Sequence, residues 1–184
     1  LGIMYNVGMP VPPGFVIAAQ VYKEFIEETK IQEKINQIIS SINVDETKDL
    51  QEKAEKIQKI IISAQIPNHV KQKIREAYST ISILSDTEVR DVRKILQSVE
   101  EKPFVAVRSS ATAEDLPEAS FAGQQATFLN VKGEEELLEA VKECWASLFT
   151  ARAIYYREKN NFAHEKVLIA VVGQASSQKP QNIH

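Results

Sequence analysis

The chain has 184 residues and carries 22 basic against 25 acidic side chains, a formal net charge of −3. This balance gives no overall positive field of the kind that attracts nucleic acid. Its 43% hydrophobic content is ordinary for a globular protein, and no apolar run approaches the roughly 18 residues that a membrane-spanning helix needs. We therefore expect a protein that neither binds nucleic acid nor lies in a membrane.

The N-terminal half predicts mostly helices. Residues 1–8 have the pattern of a helix end, the prolines of "MPVPPGFVI" then exclude a helix, and Phe15–Ile17 read as a short strand. Between Ala18 and about Leu84, apolar residues recur at three- and four-residue steps, with breaks at "NVDET" and before Pro67. A further short helix is expected in "SDTEVRDVRKILQSVE".

The C-terminal half predicts strands and one long helix. "FVAVRSS" and "QQATFLNV" read as strands joined by the loop "ATAEDLPEASFAG", and "KVLIAVV" reads as the last strand. Between them, Gly133 and three glutamates open a helix that continues to about Lys159. The final strand lies close to the chain end, so we expect its sheet partner to be missing and the chain to belong to a larger protein.

Together these elements predict an α+β fold. A helical part at about 18–100 precedes a small, mainly antiparallel sheet with a covering long helix at about 103–174, and residues 175–184 form a tail without a pattern. The single cysteine, Cys144, falls at an apolar helical position and has no partner for an internal disulfide. Such cysteine usage is typical of a reducing compartment, so we expect a cytoplasmic protein.

Several common catalytic motifs are absent from the sequence. It contains no P-loop ending in Gly-Lys-Ser or Gly-Lys-Thr, no dinucleotide-binding glycine motif, no zinc-protease motif and no cysteine cluster. The three histidines, His69, His164 and His184, lie at positions typical of the surface. The sequence therefore contains no standard metal site, and the acidic residues of the loop after Arg108 are candidates for orienting the arginine or for helping to hold Mg²⁺.

One arginine stands out, because Arg108 is the only basic residue between Pro103 and Val131. Four apolar residues precede it and predict a buried strand, and a buried charge without a partner is costly. Glu114, Asp115 and Glu118 are candidate internal partners. A phosphate group is the alternative, since the guanidinium binds it through two parallel hydrogen bonds. The residues alone leave the two possibilities equally open.

The run "VAVRSSATAEDLPEASFAGQQATFLNV" closely resembles the N-terminal nucleotide-binding region of the phosphoenolpyruvate synthase and pyruvate phosphate dikinase family, which rifampicin phosphotransferase shares. "YNVGMPVPPGFVI", "CWASLFTARAIYYR" and "KVLIAVVGQ" resemble other segments of that region in the same order. The resemblance extends from residue 1 to about residue 174.

The resemblance implies the first subdomain of an ATP-grasp fold, in which two lobes close over ATP and Mg²⁺. In a complete synthase, ATP phosphorylates a histidine on a mobile domain, and the phosphoryl group then passes to pyruvate. Overall, ATP, pyruvate and water are converted to AMP, phosphoenolpyruvate and phosphate. The partners implied are ATP and the rest of the enzyme, which comprises the second ATP-grasp lobe, the phosphohistidine domain and the pyruvate-binding barrel.

The resemblance also implies site residues. Arg108 matches an arginine on the ATP phosphates and is the catalytic candidate. Gly123 and Thr127 match positions that close over the nucleotide, and Gln174 matches a position near the adenine. Weaker candidates for ATP binding are Ser109, Ser110 and Gln124.

Three departures from the family pattern limit what this chain does alone. The Gly-Gly-Lys motif and the lobe that supplies the Mg²⁺ ligands are absent, and "VVGQ" replaces a more apolar "VVVQ". We therefore expect the isolated chain to be inactive. Alternatives are the ATP lobe of rifampicin phosphotransferase or of another dikinase-like phosphotransferase, and a non-catalytic truncated paralogue that acts as a binding module.

Overall fold

The structure is a computed structural model that describes residues 12–85, 102–111 and 126–176. Our expectations for residues 1–8, 86–100, 112–125 and 177–184 concern parts of the chain outside these ranges. The described elements are, in chain order, β1 Gly14–Ile17, α1 Ala19–Thr29, α2 Gln32–Ser40, α3 Thr47–Ser63, α4 Asn68–Ser85, β2 Phe104–Ala111, β3 Thr127–Lys132, α5 Glu134–Ala146, α6 Ala151–Lys159 and β4 Ile169–Ala175. Short 3₁₀ turns lie at Ser147–Phe149 and His164–Lys166.

The four strands form one antiparallel sheet in the order β1-β4-β2-β3. This arrangement confirms the predicted α+β class and small antiparallel sheet. The expectation that the last strand would lack its partner was wrong, because β4 pairs with β1 on one side and with β2 on the other.

Helices cover one face of the sheet. Helix α5 packs across β2, β3 and β4, while α1 lies against β4 and α4 against β1. Behind α5 lies α3, which also contacts α2 and α6. Trp145 of α5 is fully buried, and its ring centroid lies 4.6 Å from that of Phe25 of α1. Cys144 is buried as predicted, and burial raises the pKa of its thiol to about 12.

Two predicted helices are each divided in the structure. The prediction of a single long covering helix is wrong, because Thr150 adopts an extended conformation (φ −67°, ψ 150°) that ends the first part. The Thr150 hydroxyl accepts a hydrogen bond from the Ala153 N–H and so caps the start of α6. The first predicted helix ends at Lys30, whose φ of 54° is left-handed, and α2 begins two residues later. Among the described residues, no helix combines the length and apolar composition needed to cross a bilayer.

His164 is more enclosed than the sequence suggested. Its side chain is only 9% exposed, and its Nε2 lies 2.7 Å from Glu158 Oε1. Nearby, the guanidinium of Arg157 is buried and donates to the Leu148 carbonyl. Burial first, and the Arg157 charge second, lower the pKa of His164, although Glu158 opposes the shift. The folded protein therefore favours the neutral imidazole.

This preference predicts a loss of stability in mild acid. A histidine with a lowered pKa contributes stability that is fully present above its unfolded pKa of about 6.5 and is lost as the pH falls through that value towards the folded pKa. The free energy of unfolding, measured by urea denaturation between pH 7.5 and about pH 5, should therefore fall. The free energy of unfolding of the His164→Gln variant should fall less over the same pH range. An equally steep fall in the variant would contradict the prediction.

Candidate functional site

The sheet has two chemically different faces. Val105, Val107 and Ser109 of β2 point towards the helices and are at most 4% exposed, whereas Arg108 and Ser110 point away and are exposed. On β4, Ile169, Val171 and Gly173 point inward in the same way. We call the outward side the open face; its residues include Val16, Ala106, Arg108, Ser110, Thr127, Val172 and Gln174.

The sheet register brings three of the predicted site residues, Arg108, Thr127 and Gln174, onto this open face. Val16, Val172, Arg108 and Thr127 form one row of backbone partners across all four strands. Gln174 pairs with Ala106, two residues along β2 from Arg108. With strands about 4.8 Å apart and a rise of about 3.4 Å per residue, the Arg108 and Gln174 backbones lie about 8 Å apart. Arg108, Thr127 and Gln174 therefore share one surface.

Arg108 does not lie where the sequence argument placed it. The strand continues to Ala111, so Arg108 is a mid-strand residue with an exposed side chain rather than the end of a buried run. Strict alternation is the reason, because Val105 and Val107 fill the inner face and Arg108 must point outward. Among the described residues, no carboxylate lies within ion-pair distance of its guanidinium. Glu114, Asp115 and Glu118 lie outside the described ranges.

The two candidate serines lie on opposite faces. Ser109 is 4% exposed and its hydroxyl accepts a hydrogen bond of 2.8 Å from the Ala126 N–H, while its own N–H donates to the Ala126 carbonyl. Ser110 is exposed on the open face, opposite Ala170. The other two candidates, Gly123 and Gln124, lie outside the described residues.

Gln174 and the strand β1 meet at a close backbone contact. The Gln174 amide is partly exposed and its Nε2 lies 3.4 Å from the Pro12 carbonyl. Gly14 is its partner on β1, and a Cβ there would lie 2.8 Å from the Gly173 carbonyl oxygen. Gly173 in turn lies under the Phe15 ring, which a Cβ would approach to 2.5 Å. A larger residue in "VVGQ" therefore requires the Phe15 ring to move.

Within the ranges that the structure covers, no group of three or more His, Cys, Asp and Glu side chains could hold a metal ion. The basic and polar groups of the open face suit a ligand with negative charge instead. An exposed guanidinium, a hydroxyl and an amide on one surface can bind phosphate oxygens and hydrogen-bond a base or sugar.

One polar residue was missed by sequence reasoning. Tyr78 of α4 fits the apolar periodicity and is 2% exposed, yet its hydroxyl donates to the Pro103 carbonyl and accepts from the Gly133 N–H. These partners lie 25 and 55 residues away in the chain. Local periodicity contains no signal for such contacts.

Comparison with known proteins identifies the class to which this fold and surface belong. The sequence model of the pyruvate phosphate dikinase AMP/ATP-binding domain matches residues 1–179, and the chain belongs to this family. It is 47% identical over 174 residues to a probable phosphoenolpyruvate synthase of Methanothermobacter thermautotrophicus, covering 95% of this chain and 24% of that protein.

Two further relatives also match most of this chain while the match covers a small part of their own length. A probable phosphoenolpyruvate synthase of Methanocaldococcus jannaschii is 47% identical, with 95% of this chain and 14% of the relative covered. The phosphoenolpyruvate synthase of Pyrococcus furiosus is 41% identical over 206 residues, with 95% and 24% covered. The chain thus spans about a quarter or less of the length of these relatives.

The contact beside Gln174 predicts a cost for any side chain at position 14. Gly14→Ala should destabilise the protein by about 1–3 kcal/mol, because a backbone carbonyl cannot rotate away and β1 must move off β4. Urea denaturation measures the change. Val16→Ala is the control on the same strand; its side chain is 65% exposed, so its effect should stay within about 0.5 kcal/mol. Equal stability of the Gly14→Ala variant and the wild type would refute the prediction.

Proposed function

We propose that this chain is the first lobe of an ATP-grasp nucleotide-binding domain and that its open face binds ATP within a phosphoenolpyruvate synthase. The observation that carries the proposal is the alignment of Arg108 and Thr127 in one row, with Gln174 one row further along the same face. The family match and the names of the relatives support the choice of ligand and enzyme. These names favour a synthase over rifampicin phosphotransferase or a non-catalytic binding module.

Each residue has a distinct role in this proposal. The exposed guanidinium of Arg108 binds the ATP phosphates and stabilises the charge that moves with the transferred phosphoryl group. The Thr127 hydroxyl and the Ser110 hydroxyl hydrogen-bond nearby phosphate or ribose oxygens. The Gln174 amide, about 8 Å away along the sheet, contacts the base or ribose. Gly123 and Gln124 complete the phosphate contacts from the segment between β2 and β3.

Two exposed apolar side chains lie on the two edge strands of the described sheet, where a second lobe would cover them. Val16 is 65% exposed and Leu129 of β3 is 64% exposed. In the proposed enzyme a second protein layer covers the open face. In the proposed enzyme this layer is the second ATP-grasp lobe, which holds Mg²⁺. The phosphohistidine domain and the pyruvate-binding barrel carry the later steps that yield phosphoenolpyruvate, AMP and phosphate.

Replacing Arg108 tests the proposed ATP site. ATP should shift the NMR resonances of open-face residues in the 184-residue chain, and the titration gives a dissociation constant. Arg108→Ala should weaken binding roughly tenfold to a hundredfold, because a charge-assisted contact contributes about 1.5–3 kcal/mol. Arg108→Lys keeps the charge but loses the planar guanidinium, so its ATP affinity should lie between those of the wild type and Arg108→Ala.

The matched control is Arg75→Ala. Arg75 is an exposed arginine of α4 that lies 2.8 Å from Glu134, away from the open face. Its removal should leave the ATP affinity unchanged. Equal affinity of the Arg108→Ala variant and the wild type, or no shift of open-face resonances at millimolar ATP, would overturn the assignment.

The proposal also predicts that the chain binds ATP without turning it over. Mixed with ATP, Mg²⁺ and pyruvate, the 184-residue chain should release no AMP, since the phosphohistidine and the pyruvate site belong to other domains. A coupled assay for AMP measures this. AMP formation that depends on pyruvate would contradict the proposal that the phosphohistidine and the pyruvate site belong to other domains.

A further inference from the structure

A cavity of about 390 Å³ lies between α1 and the turn His164–Lys166. Its floor is formed by four buried residues, Tyr22, Ile26, Phe149 and Val167. At roughly 30 Å³ for each water-sized group, this volume suits a ligand of about a dozen non-hydrogen atoms. The cavity shares no lining residue with the open face, so it is a separate site from the one proposed for ATP.

A buried positive charge lies behind one wall of this cavity. Arg157 is only 1% exposed, and its guanidinium carbon lies 5.3 Å from the ring centroid of Phe149, which lines the cavity. Tyr22 and His164 also line the cavity, and both interact electrostatically with Arg157. Burial lowers the pKa of Arg157 to about 10, so its guanidinium stays charged at neutral pH.

This buried charge has no counter-ion in the part of the chain that the structure describes. The guanidinium donates to the Leu148 carbonyl, but no described carboxylate lies within ion-pair distance and its Nε has no described partner. The carboxylate of Glu158 instead lies 2.7 Å from His164. A buried cation that lacks an anion is costly, and an anion nearby would recover part of this cost.

The charges at the mouth of the cavity largely cancel. Two lysines and two glutamates are exposed there, namely Lys23, Lys166, Glu27 and Glu165. Lys23 and Glu27 form an ion pair of 3.8 Å, and Glu165 accepts a hydrogen bond of 2.7 Å from the Asn36 amide. Water and salt screen such exposed charges far more than a buried charge. Arg157 therefore determines that the cavity prefers a negatively charged ligand.

Tyr22 can donate a hydrogen bond to such a ligand. It is 5% exposed, and its hydroxyl has no hydrogen-bond partner among the described residues. The fully enclosed atoms without a described partner are nitrogens of Trp145, Arg157 and His164, so the Tyr22 oxygen remains accessible from the cavity that it lines. Burial raises the pKa of Tyr22, and its hydroxyl is therefore protonated at neutral pH.

We propose that this cavity binds a small monocarboxylic acid, whose carboxylate accepts a hydrogen bond from Tyr22 and lies against the wall in front of Arg157. The apolar floor of Ile26, Phe149 and Val167 suits the apolar body of such an acid. One donor and one buried charge match a carboxylate better than a phosphate, whose further oxygens and charge require more donors.

Benzoate is the probe for this site, with benzamide as an uncharged control of the same shape. Both are titrated into the isotopically labelled 184-residue chain at neutral pH and followed by NMR. Benzoate should shift the resonances of Tyr22, Phe149 and Val167 with a dissociation constant on the order of 1 mM. Benzamide should bind about tenfold more weakly, because it forms no charge-assisted hydrogen bond.

Three outcomes of these titrations would overturn the proposal. The first is the absence of any shift at about ten times the expected dissociation constant of benzoate. The second is equal binding of benzamide and benzoate, which would show that the apolar floor alone holds the ligand. The third is tighter binding of inorganic phosphate than of benzoate, which would contradict the assignment of a carboxylate.

Tyr22→Phe tests the proposed donor. Loss of the hydroxyl should weaken benzoate binding about tenfold, since a hydrogen bond to a charged group contributes more than one between neutral groups. Tyr155→Phe is the matched control, because Tyr155 is 43% exposed and does not line the cavity. This control should keep the wild-type affinity for benzoate, and an unchanged affinity in Tyr22→Phe would refute the role of Tyr22.

Arg157→Met tests the buried charge. The variant should bind benzoate no more tightly than benzamide, whereas a retained preference for benzoate would refute the role of Arg157. Should this variant not fold, the comparison of benzoate with benzamide in the wild type decides the question, since the two molecules differ in charge but hardly in shape.

Discussion

The strict alternation of side chains along β2 and β4 is the constraint on which the rest of the structure depends. Val107 and Val171 face the helices because their neighbours Arg108 and Val172 face the other way. The inner face buries the apolar residues that hold α1, α4 and α5 in place. The described helices do not pack against the outer face. A charged side chain there is therefore compatible with a stable sheet.

The periodic elements of this fold could be predicted from sequence. Three- and four-residue spacing indicated the helices, and β-branched runs indicated the strands, including the strand of Phe15–Ile17. The breaks at Lys30 and Thr150 could not be predicted in this way, since apolar residues continue on both sides of each break. A left-handed residue and a threonine cap are local events that leave the overall periodicity intact.

The candidate site was partly predictable, for a different reason. Resemblance to a family singled out Arg108, Thr127 and Gln174, but it gave no geometry, and the expected burial of Arg108 was wrong. Four apolar residues in a row suggested a strand buried on both faces, whereas β2 is buried on only one. Ser109 and Tyr78 show the opposite case, because their hydrogen bonds join residues far apart in sequence. Only tertiary structure reveals such contacts.

β3 contains a bulge: Val105 pairs with Val131 and Val107 pairs with Phe128, so β3 has one extra residue in the segment Leu129–Asn130. β3 is an edge strand of the described sheet, and a regular edge presents a row of free N–H and carbonyl groups that can pair with another chain. The left-handed Asn130 interrupts this row and twists the strand locally. The same irregularity therefore protects the molecule against edge-to-edge aggregation, and it does so on the strand that also presents the exposed Leu129.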